Sequence, residues 1–111
     1  MVTLDASQPV SPSFLDAVSR SITSFLEVQA DRLTDISPDL APVADRARLF
    51  TRGGKRLRPA FCAWGYAAVS GDSDLPDPVV RVASSLDLLH VSALMHDDVM
   101  DDSDSRRGVP S

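Results

Sequence analysis

From Val79 to Met100 the chain has neither glycine nor proline, and this stretch runs straight into five aspartates within eight positions: Asp97, Asp98, Asp101, Asp102 and Asp104. Apolar residues recur along it at helical spacing, and Val82, Leu86, Leu89, Ala93 and Met95 or Met100 are predicted to supply its buried side. Asp77-Pro78 reads as a cap followed by a first-turn proline. One long helix carrying an acidic end is therefore the frame into which everything else must fit.

The rest of the chain is also helical in pattern. Pro12 suits a first helical position, and Phe14, Val18, Ile22, Phe25 and Leu33 form an apolar stripe that predicts core, with Arg20, Glu27 and Asp31 left to water. A break at Ser37-Pro38 precedes a shorter helix through Val43, Ala47 and Phe50, which the Gly53-Gly54 pair is expected to end. Pro59 can open a third helix through Phe61, Trp64 and Ala68 that stops at Gly71, and its two aromatic residues read as packing. No alternating run demands a strand and no repeat is visible, so the fold class is all-α. Residues 1–12, rich in Ser and Pro, read as a flexible leader unless something pins them, and 13–111 as the helical domain.

Composition narrows the function. At 43% apolar and 24% charged, the 111 residues are ordinary for one small soluble domain. No uninterrupted apolar run approaches a transmembrane span, and no secretory signal opens the chain. The single Cys62 excludes an internal disulfide and points to the cytoplasm. One Cys and two His cannot build the usual four-ligand zinc site, so a metal here must be held by oxygen. A net charge of −5 argues against nucleic acid as a partner.

That average hides a segregation of charge. Four of the eleven basic residues, Arg52, Lys55, Arg56 and Arg58, fall within seven positions. They stand before a helix whose N-terminus is already the positive end of a dipole, so the cluster is misplaced unless an anion answers it. Helix amides, a glycine-permitted turn and several cations together make a diphosphate site. It is not the nucleotide-binding phosphate loop, whose glycine spacing and Ser or Thr after Lys are absent.

The acidic end has the converse problem. At about 100° per residue, with His90 at zero, Asp97 lies at about −20°, Asp101 at about +20° and Leu94 near +40°, so the four share a stripe. Two carboxylates at i and i+4 near a helix C-terminus repel each other and oppose the dipole. Mg²⁺ removes the conflict, because it takes one or two carboxylates, keeps several waters and completes its shell with phosphate oxygens. A Ca²⁺ loop is excluded by the absence of its Gly and closing Glu. Cations on one side and Mg²⁺ on the other suit a diphosphate that departs as a leaving group.

The blocks Gly53-Gly54-Lys55-Arg56-Leu57-Arg58-Pro59 and Leu88-Leu89-His90 through His96-Asp97-Asp98-Val99-Met100-Asp101-Asp102-Ser103 to Arg106-Arg107-Gly108 resemble the trans-type polyprenyl diphosphate synthases. The second block is similar to that family's first aspartate-rich motif with its trailing Arg-Arg-Gly. The resemblance implies the N-terminal helices of an isoprenoid-synthase-type bundle. It implies that Asp97 and Asp101 bind Mg²⁺ against an allylic diphosphate, that Asp98 supports the motif, and that Arg106 binds the same diphosphate. Lys55, Arg58, His90 and Arg107 would grip isopentenyl diphosphate. Ser92 and Ala93 occupy the positions where aromatic side chains stop product growth early in the family, and two small residues imply geranylgeranyl diphosphate or longer. The full-length protein would be a homodimer.

Two rival readings remain at the level of sequence. A phosphohydrolase with His96 and Asp97 as metal ligands needs further His and Asp ligands, and only His90 is left. A non-catalytic helical interaction module would keep the motifs without the reaction. The chain ends just after Arg-Arg-Gly, before a second aspartate-rich motif, and reads as a fragment whose exposed helix faces make it marginal or prone to associate. The purified 111 residues are accordingly expected to show no prenyl transfer in a radiolabelled isopentenyl diphosphate assay; robust turnover would refute that expectation.

Overall fold

The computed structural model describes residues 2–100, the Val99 side chain excepted, and the backbone of 105–106 and 109–110. In chain order it contains β1 (Val2–Thr3), α1 (Pro12–Ile36), a 3₁₀ turn (Pro38–Leu40), α2 (Ala41–Thr51), α3 (Leu57–Ser70), β2 (Asp74–Leu75), α4 (Asp77–Met100), β3 (Ser105–Arg106) and β4 (Val109–Pro110). The chain is all-α, with two-residue ladders as trimming: β1 pairs antiparallel with β2, and β3 with β4.

Local chemistry explains the helix ends. The Ser11 hydroxyl accepts from the Phe14 amide at 3.3 Å and Pro12 takes the first helical position, so α1 starts where the sequence predicts. It stops at Ser37, whose amide closes on Leu33 O at 3.0 Å before Pro38 bars continuation. Helix α2 ends at Thr51, ahead of Gly53 and Gly54, both at positive φ. Helix α3 opens at Leu57, two residues earlier than expected from Pro59. Pro59 still lies in the first turn, where its missing N–H costs nothing. Gly71 closes α3 in the left-handed conformation as predicted.

The leader is pinned, which corrects the expectation of a flexible segment. Val2 pairs with Leu75 and Thr3 with Asp74, the Leu4 amide donates to Ser73 O at 2.8 Å, and the Trp64 indole donates to Pro9 O at 2.7 Å. Leu4 and Leu75 are buried in one cluster with Phe14, Val18, Ile22, Ala60, Ala63 and Val80. Nearby, the Ser7 hydroxyl and amide donate to Asp5 and hold its carboxyl below the ordinary value.

Along α1 burial follows every fourth residue, Phe14, Val18, Ile22, Leu26 and Ala30, rather than the expected stripe through Phe25. A row of i+4 positions drifts about 40° per step, so the contact line passes from α3 and α4 at one end to α2 at the other. Phe25 is left half-exposed in a groove beside Leu88 of α4.

Helix α4 overturns a second expectation. Val82, Leu86 and Leu89 are exposed, Leu89 by 66%. The buried residues are Val80, Ala83, Ser84, Asp87, Val91 and Asp98, which share an arc of about 100° opposite the large apolar side chains. Small and acidic residues let α4 approach its neighbours closely, and the bulky ones face outward. The stretch Asp77–Asp98 is long and apolar enough to cross a membrane by length and composition alone. That qualifies the expectation drawn from uninterrupted runs. Asp87 in its middle is held by a cation from another element, Arg56.

If the leader is part of the core, Leu4→Ala costs about 2 kcal/mol or more in urea denaturation, as for other buried leucines; a change near zero would return residues 2–5 to the status of a loose tail.

Candidate functional site

The site begins with the loop between α2 and α3. Gly53 and Gly54 have φ of 72° and 84°, and Arg56 has φ 54° and ψ 36°. A Cβ on Gly53 would meet nothing within 4 Å, so glycine there serves the backbone conformation and not space. Arg56 is the one non-glycine residue at positive φ among those described, a conformation that costs about 1 kcal/mol or more and survives only where its surroundings enforce it.

What enforces it is buried. The Arg56 guanidinium is 6% exposed and bonds the Asp87 carboxylate of α4. It also donates to the Thr51 carbonyl, at the end of α2, at 2.8 Å. The Arg56 backbone carbonyl in turn accepts from the Ala60 amide at 3.1 Å and starts α3. One residue thus joins three helices. This corrects the reading of four cations awaiting an anion: the charge of Arg56 is answered by Asp87, and the exposed cations of the cluster are Arg52, Lys55 and Arg58. Asp87 went unnoticed in the sequence. The signal for it was an acid among Leu86, Leu88 and Leu89, at helical spacing from Val80, Ser84 and Val91.

Between α3 and α4 lies an open groove of about 560 Å³, lined by Arg58, Phe61, Cys62, Leu86, Leu89, His90 and Ala93. Arg58 and His90 give it polar functions, and the remainder is apolar. Phe61, read as packing, is 78% exposed and forms a wall of this groove. Ala93 belongs to it, whereas Ser92 lines a separate groove with Leu26, Ala47, Thr51, Met95 and His96. The two positions paired in the sequence thus serve different surfaces.

The helix continues through the start of the aspartate cluster, so Asp97 stands two turns beyond His90 on the expected stripe. Asp97 is exposed and Asp98 is 2% exposed, on the arc of Asp87 and Val91. Asp101, Asp102 and Arg107 lie outside the described residues, as does the Arg106 side chain. Among the described residues no three His, Cys, Asp or Glu converge on one point. A cluster of the kind a phosphohydrolase needs is therefore not found among them.

Comparison with known proteins decides the family. The polyprenyl synthetase family pattern matches residues 44–111, which include both the basic loop and the aspartate cluster. The chain belongs to the polyprenyl synthetase family. It is 38% identical over 81 residues to a short chain isoprenyl diphosphate synthase of Methanothermobacter thermautotrophicus, covering 73% of this chain and 24% of that protein. Identity is 42% over 77 residues to heptaprenyl diphosphate synthase component 2 of Geobacillus stearothermophilus, covering 68% and 23%. It is 32% over 109 residues to solanesyl diphosphate synthase 1 of Arabidopsis thaliana, covering 94% and 26%. The chain therefore spans about a quarter of the length of these polyprenyl synthetases. No solved structure matches it.

Removing one side of a buried pair strands the other charge, at a cost of about 3–5 kcal/mol. Asp87→Ala is expected to lower the unfolding free energy in urea by that amount, and a loss below about 1 kcal/mol, the scale of an exposed ion pair, would contradict the burial of Arg56.

Proposed function

We propose that these residues form the diphosphate-gripping part of a Mg²⁺-dependent prenyltransferase that joins isopentenyl diphosphate head-to-tail to an allylic diphosphate. The observation that carries the reading is the groove that Arg58 and His90 line together with Phe61, Leu86, Leu89 and Ala93. A prenyl diphosphate has the same two-part character: an anionic head for charge-assisted hydrogen bonds and an apolar tail for a dry wall. Membership of the polyprenyl synthetase family, and relatives named as isoprenyl, heptaprenyl and solanesyl diphosphate synthases, supports the same chemistry.

Arg58 and Lys55 bind the isopentenyl diphosphate head beside the N-terminus of α3, with His90 donating from α4 and Arg107 added from the following segment. Asp97 and Asp101 bind Mg²⁺ against the allylic diphosphate, with Arg106 as its cation and Asp98 as the inward support of the motif. The donor set fits Mg²⁺: Asp97 is an exposed oxygen ligand on a rigid helix, and one or two carboxylates suffice when phosphate oxygens complete the shell. Bound there, Mg²⁺ neutralises the departing diphosphate. The chain's own side chains orient the two heads, and the apolar wall excludes water from the allylic carbon.

Ala93 leaves the groove open below Asp97, which favours a product of geranylgeranyl length or longer. Ser92, on the other groove, does not act on that tail. The remaining wall and further metal ligands belong to the part of the relatives that this chain does not cover, and the assembled enzyme would be a homodimer. The lone Cys62 favours the cytoplasm.

The test is calorimetric titration. Isopentenyl diphosphate is expected to bind the chain, and Arg58→Gln to weaken that binding about tenfold or more, the scale of one lost charge-assisted bond. Mg²⁺ is expected to tighten binding of an allylic diphosphate, and Asp97→Asn to abolish that increment. Affinities untouched by either substitution would contradict the assignment.

A further inference from the structure

We infer that Arg56 and Asp87 are positioning residues of the diphosphate grip: their buried ion pair sets where Lys55, Arg58 and His90 stand relative to one another. The inference rests on the reading of the α3–α4 groove given above.

Lys55 precedes Arg56 in a loop where Gly53, Gly54 and Arg56 are all at positive φ, and Arg58 follows it by two positions in the first turn of α3. Such a loop has many alternative paths, because the glycines remove the steric restriction that would otherwise select one. Its one buried anchor is the Arg56 side chain, which holds Thr51 behind it and Asp87 across from it. Asp87 lies three residues before His90 on α4, so the carboxylate that receives Arg56 shares a rigid frame with His90, which lines the same groove as Arg58. The pair therefore ties the start of α3, which carries Arg58, to α4, which carries His90. Without it the exposed cations keep their charge and lose their common geometry.

A purely structural role makes a different prediction, and replacing both members separates the two. Arg56→Met with Asp87→Leu leaves no stranded charge, so a buried pair that only supports the fold is replaced with little loss. The experiment titrates inorganic diphosphate into the full chain and monitors melting by circular dichroism. In the double variant the helices are expected to melt within a few degrees of the parent while diphosphate binds about tenfold more weakly, the scale of losing a residue that orients a ligand-binding group. Arg56→Lys is the second variant. It keeps a cation for Asp87, gives up the bond to Thr51, and is expected to bind several-fold more weakly with its melting preserved. Parent-like affinity in the double variant, or in Arg56→Lys should the double variant not fold, would overturn the positioning role alone. Failure of the parent itself to bind diphosphate would overturn the reading of the groove and this inference with it.

Discussion

The contact between Arg56 and Asp87 decides which way α4 faces. Burying two charges costs about as much as their attraction returns, so the pair adds little net stability compared with apolar residues of the same size. What it fixes is the choice among arrangements. Once Arg56 is inside, the alternative in which the large side chains of α4 turn inward would leave its guanidinium without a carboxylate. The pair thus holds Ala83, Ser84 and Val91 against the bundle and sends Leu86, Leu89 and Ala93 to the outer face. That outer face, beside Phe61 and Arg58, is the groove on which the functional reading depends.

Much of the fold was legible in the sequence because its punctuation is local. Ser11-Pro12, Ser37-Pro38, Gly53-Gly54 and Gly71 mark helix ends through capping, a missing amide or a permitted positive φ, and each acts within a few residues. The orientation of α4 was not legible, because it is apolar on two sides and periodicity cannot say which side meets a neighbour. The deciding residue, Asp87, matters only through a partner 31 positions earlier. The leader was misjudged for a related reason. Its composition is that of a tail, and contacts with residues far along the chain, Val2 with Leu75, Thr3 with Asp74 and Leu4 with Ser73, make it core.

The site was legible in part. The stripe from His90 to Asp97 follows from helical geometry alone, and the helix does persist that far. Four cations that stand close together in sequence separate into three at the surface and one buried strut, Arg56. Ser92 and Ala93, adjacent in the chain, separate by about 100° of rotation onto different grooves. In each case the sequence names the residues, and the packing of the helices assigns their directions.

On the proposed function, the cationic loop and the aspartate-bearing helix converge on one prenyl diphosphate site. Paramagnetic broadening tests it most directly, with Mn²⁺ in place of Mg²⁺ and an allylic diphosphate present, read on the amide resonances of the chain. Broadening is expected to centre on Asp97, to extend along α4 to Ala93 and to reach Lys55 and Arg58, and to collapse when the diphosphate is withheld. Broadening confined to acidic residues remote from the groove, or equal with and without diphosphate, would contradict it.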